Sequence, residues 1–242
     1  GAILALLVWS LAGPWRFPEA LPGAFTLGTW ERQAGAIAGP ALTTLTVAAL
    51  STLVALALTL ACLEAGPRHG RRALAVLWLP LLTPQLAFLF GWQVLLVRAG
   101  LDGTTFAVVW AHLLFVMPYV FLSLADPWRA MDPRHARSAA ALGAGPWRVF
   151  LAVKLPLMAG PVLVAAAVGF AVSAGLYLPT LFAGAGRVTT LTTEAVTLAA
   201  GADRRVLGVF ATLQAAMPLL AYALAAAVPA LVFRNRRGMR AA

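Results

Sequence analysis

The sequence predicts an all-α fold: a polytopic membrane helix bundle with five full spans and part of another helix ahead of them. Three observations predict it. The 242 residues are 62% hydrophobic, only 11% charged, and have a mean hydropathy of +0.87, whereas a soluble domain carries about 25% charged residues. The charged residues cluster between apolar runs long enough to cross the roughly 30 Å hydrocarbon layer of a bilayer. The basic residues are also shared unequally between alternate connections. Of 18 Lys and Arg, 12 fall in residues 64–72, 125–159 and 234–242, and 6 in the connections on the other side. Positive-inside bias assigns the first set to the cytoplasm. It also accounts for the net charge of +10 without nucleic acid, because no basic stripe lies on a soluble module.

In chain order, residues 1–12 are apolar but too short to span. They lack the basic start of a signal peptide and read as the end of a helix that begins before Gly1. Residues 13–40 form a periplasmic or interfacial segment. Turn signals bound it, and Trp9, Trp15 and Trp30 suit a membrane–water boundary. The membrane core covers 41–233. Its spans are 41–63; 73–97, broken by Pro80 and Pro84; 104–124, with His112 and Pro118; 160–182; and 206–233. Residues 183–205 are a polar connection in which Glu194 is the lone acid of the middle, read as an amphipathic hairpin or helix. Residues 234–242 are a basic cytoplasmic tail.

The longest polar interruption is 125–158. Asp132 is placed to cap a helix that starts at Pro133, and Gly143 to end it near Leu142. Gly145-Pro146 restarts the chain. Trp147, Val149, Phe150 and Val153 then form a second short amphipathic helix, and Leu155-Pro156 turns it back into an apolar run. Arg129, Arg134, Arg137, Arg148 and Lys154 sit on this helix–glycine turn–helix. An ordinary basic interfacial loop is the plainer reading of such a stretch.

The spacing within this stretch resembles a known family. Permease subunits of binding-protein-dependent ABC importers carry the cytoplasmic pattern E-A-A-x-x-x-G, nine residues, I-x-L-P. Here Ser138-Ala139 stand at the alanines, Gly143 at the glycine, Val153 at the isoleucine and Leu155-Pro156 at the end. Arg137 replaces the glutamate. The resemblance implies a MetI-like, type I permease, similar to the C-terminal half of the YnjC-like, iron(III)/thiamine-type two-module permeases. By that resemblance the loop couples the chain to an ABC ATPase dimer through Arg134, Arg137, Ser138, Ala139, Leu142, Gly143, Ala144, Trp147, Phe150, Val153, Leu155 and Pro156. It further implies a second permease module, fused N-terminally or separate, a periplasmic substrate-binding protein, and a multi-pass place among the lipids of a bacterial inner membrane. No cofactor is expected on this chain, and ATP-Mg belongs to the ATPase. Trp147 and Phe150 are read either as apolar anchors for the ATPase or as packing on the chain's own helix ends.

Polar residues within the spans are the candidates for a solute path: Gln85, Gln93, His112, Ser173 and Tyr177. Each has a plainer reading as interhelical hydrogen-bonding glue. For His112 an ionisable residue at mid-span suggests function, and a neutral imidazole bonded to a neighbouring helix is the preferred alternative. The chain has no Walker lysine motif, so it is read as a transport component and not an enzyme. A secondary transporter is the competing reading, though it would usually carry intramembrane charges. The single cysteine, Cys62, and three scattered histidines offer no metal-ligand spacing.

Overall fold

The computed structural model describes residues 2–15, 22–66, 71–201 and 203–232. The middle of the basic loop 64–72 and the tail 234–242 lie outside the described residues. The described chain is helical, with a single isolated bridge between Ala12 and Phe25. The helices are α1 (Ala2–Leu11), α2 (Gly28–Glu64), α3 (Arg71–Leu82), α4 (Gln85–Arg98), α5 (Thr105–Ala130), α6 (Pro133–Ala141), α7 (Pro146–Val149), α8 (Leu155–Leu157), α9 (Ala159–Gly175), α10 (Leu178–Gly184), α11 (Leu191–Ala199) and α12 (Arg204–Val232), with a π turn at Phe150–Lys154 between α7 and α8.

Helix α5 lies at the centre, packed on α2 and α9, and α12 packs on α9, α1 and α11. Each contact has its own sequence basis. The buried stripe of α2 runs through Thr44, Val47, Ala48, Ser51, Thr52, Ala55 and Thr59, a helical repeat of small and hydroxyl side chains that lets neighbouring backbones approach closely. Gly169 of α9 meets that stripe. A Cβ there would lie 2.9 Å from both Thr52 Cγ2 and Val120 Cγ2. Gly208 does the same for α12 against α1, where a Cβ would lie 2.6 Å from the Ser10 backbone nitrogen. The opposite faces stay apolar and exposed, with Leu42, Leu45, Leu50, Leu53 and Leu58 on α2 and Leu219, Leu220, Leu224 and Leu231 on α12. That is the pattern of surfaces that meet lipid or other apolar partners.

The structure redraws several boundaries read from the sequence. The first long helix starts at Gly28 and not at 41, and carries Pro40 inside it. At 37 residues it rises roughly 55 Å, more than a bilayer core, so most of the segment 22–40 is the near end of this helix. The span expected at 73–97 with breaks at both Pro80 and Pro84 is two helices with one break. Pro80 lies inside α3, and the break falls at Thr83-Pro84, because a residue before proline leaves the helical region. The span expected at 160–182 breaks at Leu176-Tyr177. Helix α5 runs through Pro118 and Pro127 to Ala130, so the polar element begins at Met131, six residues later than expected, and Arg129 belongs to α5. Leu155-Pro156 does not turn the chain. The helix widens into the π turn, where the Leu155 N–H reaches the Phe150 carbonyl, and this eases the approach of a proline that can neither donate nor tolerate a tight preceding turn. The chain bends at Met158 instead, with 76° between 146–157 and 159–175. Among the described residues, α2, α5 and α12 are each long and apolar enough to cross a membrane alone, or four elements are if that bent pair counts as one. The other two expected spans are discontinuous.

The two ends of the bundle are tied differently. At one end Lys154 Nζ donates to both carboxylate oxygens of Glu64, at 2.7 and 2.8 Å, joining α2 to the π turn. At the other the Gly103 N–H donates to the Ala183 carbonyl at 2.8 Å, and Arg187 donates to the Asp102 carboxylate at 2.6 Å. Residues 64 and 154 thus meet at one end, and residues 102–103 and 183–187 at the other.

Candidate functional site

Two groups of the candidate residues become physical structures: an exposed helix–turn–helix and a buried hydroxyl–imidazole chain. The first is built by local rules. Asp132 accepts from the Arg134 N–H at 2.8 Å with Pro133 as the first helical residue, an N-cap that satisfies one otherwise orphaned donor. Gly143 has φ +86°. Its N–H donates to the Ala140 carbonyl at 2.9 Å, and the Ala144 N–H to Ala139 at 3.1 Å. Those two bonds make a Schellman ending, which requires the left-handed conformation that glycine adopts freely.

Helix α6 is therefore closed at both ends, yet none of its residues is buried. Arg134, Arg137 and Ser138 are exposed and Ala139 is half-buried. At its tip Leu142 is 89% exposed and Ala144 half-buried, and Trp147 beyond is 73% exposed. The two aromatic candidates separate. The Phe150 ring lies 6.4 Å from Trp128 of α5 and 5.8 Å from Trp147, so Phe150 packs on its own chain and Trp147 stays on the surface. Val153, Leu155 and Pro156 are half-buried. Val153 lines a cleft of about 210 Å³ with Trp128, Met131 and Ala136. Lys154 is engaged by Glu64 and lies 5.6 Å over the Trp128 ring. Arg137 has no ion pair among the described residues.

The second structure joins four helices. His112 of α5 is buried, with Nδ1 2.8 Å from Ser173 Oγ on α9 and Nε2 2.8 Å from Thr180 Oγ1 on α10. Ser51 of α2 lies 3.1 Å from Ser173. Thr180 donates to the Leu176 carbonyl, so it accepts from Nε2–H, and in a neutral ring Nδ1 then accepts from Ser173. Ser51 shares its one proton between the Val47 carbonyl at 2.8 Å and Ser173 at 3.1 Å. The imidazole thus joins neighbouring helices and binds α10 across the break at Leu176-Tyr177. Of the path candidates, only His112 and Ser173 meet. Gln85 lines a separate cleft, Gln93 is half-buried, and Tyr177 is half-buried just ahead of α10.

Sequence reasoning missed Ser51 and Thr180 in this chain. It also missed Thr44, whose hydroxyl accepts the Leu191 N–H at 2.9 Å, and the Thr190–Thr193 capping box of α11. Glu194 sits in the first turn of that helix, where its charge suits the helix dipole. The available signal was the spacing of 44, 48, 51, 52, 55 and 59, a helical face of small residues inside an apolar run.

No protein-family profile matches the chain. Over 199 residues it is 45% identical to the inner membrane ABC transporter permease protein YnjC of Escherichia coli (strain K12). The chain belongs to the inner-membrane ABC transporter permeases. The alignment takes in 82% of this chain and 38% of that relative, so the permease chain spans well under half the length of the protein it matches. The helical bundle, its apolar outer faces and its helices of spanning length agree with that membership.

Proposed function

We propose that this permease chain is one membrane module of a MetI-like, binding-protein-dependent importer, driven by a separate ATPase that docks on residues 131–158. The observation that carries the proposal is α6: a helix capped at both ends, with no buried residue, holding Leu142 and Trp147 out of the bundle. A short helix capped at both ends and without buried residues, with apolar side chains beyond its tip, is suited to a groove on a partner. Its attachments suit force transmission. Only Met131 and Asp132 separate it from α5, and the segment 146–157 leads from it to α9. Movement of α6 would reach two of the four helices that carry the His112 chain, α5 and α9. Among the described residues every buried polar side chain is Ser, Thr or His, which favours an ATP-driven component over an ion-coupled transporter. Arg137 would meet an acid or a backbone carbonyl of the ATPase. The remaining components would be a second permease module and a periplasmic protein that delivers a small solute.

Gly143 provides the test. A Cβ at Gly143 meets nothing within 4 Å, so a substitution there acts through φ alone. Gly143→Val should oppose the left-handed turn by about 1–2 kcal/mol, and Gly143→Asn, which tolerates that conformation, much less. With the ATPase coexpressed, the Val variant should insert normally but retain less ATPase and lose stimulated ATP hydrolysis, and the Asn variant should keep both. Full ATPase retention and stimulation by Gly143→Val would remove this segment as the coupling element.

A further inference from the structure

The two breaks in the spans open on one cleft. Thr83, at the α3–α4 break, and Leu176, at the α9–α10 break, both line a cavity of about 290 Å³ together with Pro80, Gln85, Phe115 and Tyr119. Phe115 and Tyr119 lie near the middle of α5, so the cleft sits near mid-depth in the bundle. Discontinuous helices at that depth give a solute polar groups that an unbroken helix keeps for itself. The Thr83 hydroxyl already donates to the Leu79 carbonyl at 2.9 Å and retains its acceptor capacity. The Gln85 amide and the Tyr119 hydroxyl have no hydrogen-bond partner among the described residues. Helix α4 starts at Gln85 with no side-chain cap, and α9 ends at Gly175, so helix ends of opposite polarity meet here. No lining residue carries a charge.

We infer that this cleft is a binding site for a small uncharged solute bearing hydroxyl or amide groups, held by Gln85, Tyr119 and Thr83. The inference rests on the permease reading and adds the class of cargo. The lining supplies both donors and acceptors, and opposed helix ends leave no net field that would compensate a full charge. An ion here would give up its water with no counter-charge in return. A neutral solute exchanges water hydrogen bonds for those of the three side chains and rests its carbon skeleton on Phe115 and Leu176.

The test uses the full-length permease in membranes with its ATPase coexpressed, in a Cys62→Ser background. Thr83→Cys places a thiol in the cleft, and Tyr119→Cys is a second variant should the first fold poorly. Leu53→Cys, on the exposed apolar face of α2, is the control. Three methanethiosulfonates serve as probes: hydroxyethyl (neutral), sulfonatoethyl (anionic) and trimethylammonioethyl (cationic), each normalised to its rate with free cysteine. Cleft thiols should react roughly tenfold or more faster with the neutral probe than with either charged one. Leu53→Cys, away from the cleft on an apolar outer face, should react slowly with all three. Adding Gln85→Glu should bring the cationic probe to parity at Thr83→Cys, which a residue of purely structural role would not do. Equal or faster reaction with a charged probe, or no reaction at either cleft cysteine, overturns the inference. ATPase copurification from the same samples reads the parent proposal separately: a selective cleft without bound ATPase defeats that proposal alone, and bound ATPase with an unselective cleft defeats only this one.

Discussion

The element 131–158 and the junction of α2, α5, α9 and α10 are built on opposite principles. In the first, α6 is held by backbone chemistry at its ends, the Asp132 cap and the Gly143 turn, with none of its own residues buried. The second is held by side chains packed to contact, Gly169 on Thr52 and Val120 and His112 between Ser173 and Thr180, with no room for an added atom. Changes in the first should therefore alter what the permease binds while sparing the bundle. Changes in the second should lower the stability of the whole.

The sharpest way to break that contrast uses one substitution at two places on α9. Gly169→Ala forces a methyl to within 2.9 Å of Thr52 Cγ2 and Val120 Cγ2. Both neighbours are β-branched and stiff about χ1, so the strain should cost about 1–3 kcal/mol. Gly160→Ala, on the same helix, meets nothing within 4 Å and should be neutral or raise stability by up to about 1 kcal/mol, the ordinary helix gain over glycine. Thermal unfolding of the two purified variants in one detergent gives the comparison. Equal melting temperatures would mean that α9 is not packed as tightly as described.

Next in size is His112→Leu. It removes both ring nitrogens and leaves Ser173 without its acceptor, while Thr180 keeps the Leu176 carbonyl. Between helices in a membrane such a loss is worth about 1–2 kcal/mol. His112→Gln should recover part of it, because one amide can donate towards Thr180 and accept from Ser173. Proteolytic release near residues 176–190 should follow the same order, Leu above Gln above wild type. If Leu and Gln were equally damaging, the chain would be a matter of shape and not of hydrogen bonds.

Legibility from sequence follows the same division. The caps of α6 were readable because they depend on a few adjacent residues: Asp-Pro at its start, and Gly143 where the chain must turn left-handed. The membrane class was readable because length and apolarity are sums along the chain. Of the two breaks read at Pro80 and Pro84 only the second occurs, and the break at Leu176-Tyr177 was not placed, since a proline inside an apolar run can bend, break or be absorbed. Pro80 and Pro118 stay inside helices and Pro84 does not, and the neighbours that decide this are far away in sequence. The same holds for His112: its depth was readable, but Ser51 and Thr180, 61 and 68 residues away, were invisible among many other hydroxyls. The continuation of α5 to Ala130 was missed because charge was taken to mark the helix end, and Arg129 and Asp126 form an exposed ion pair on the helix itself.

On the other side of the comparison, Asp132→Ala removes a cap worth about 1 kcal/mol to its helix. No residue of α6 is buried, so little of that cost should reach the global melting temperature. It should appear instead as faster amide exchange at Arg134 and His135, with the spans unaffected. A global shift as large as that of Gly169→Ala would show that α6 is part of the bundle's stability after all.

The smallest expected effect lies at the start of α12, where both principles meet. Asp203 accepts the Arg205 N–H at 2.9 Å and its side chain at 3.0 and 3.1 Å, and the Arg205 guanidinium holds its carboxyl below the usual range. The group is largely exposed, so solvent screening limits the pair to a few tenths of a kcal/mol. The sign follows from the direction of the shift. The folded carboxyl ionises more readily than the unfolded one, so its contribution is fully present above the unfolded value near 3.8 and disappears as the pH falls through the lower folded value. Asp203→Asn should therefore melt slightly below wild type by a constant margin from pH 5 to 8, with the two curves converging below pH 4. Asp203 precedes α12 by one residue, while Arg204 lies 5.4 Å over the Trp9 ring of α1. A margin of more than about 1 kcal/mol, beyond the usual range of exposed pairs, would mean that this end of α12 is clamped to α1 through its charges and not through the close packing at Gly208.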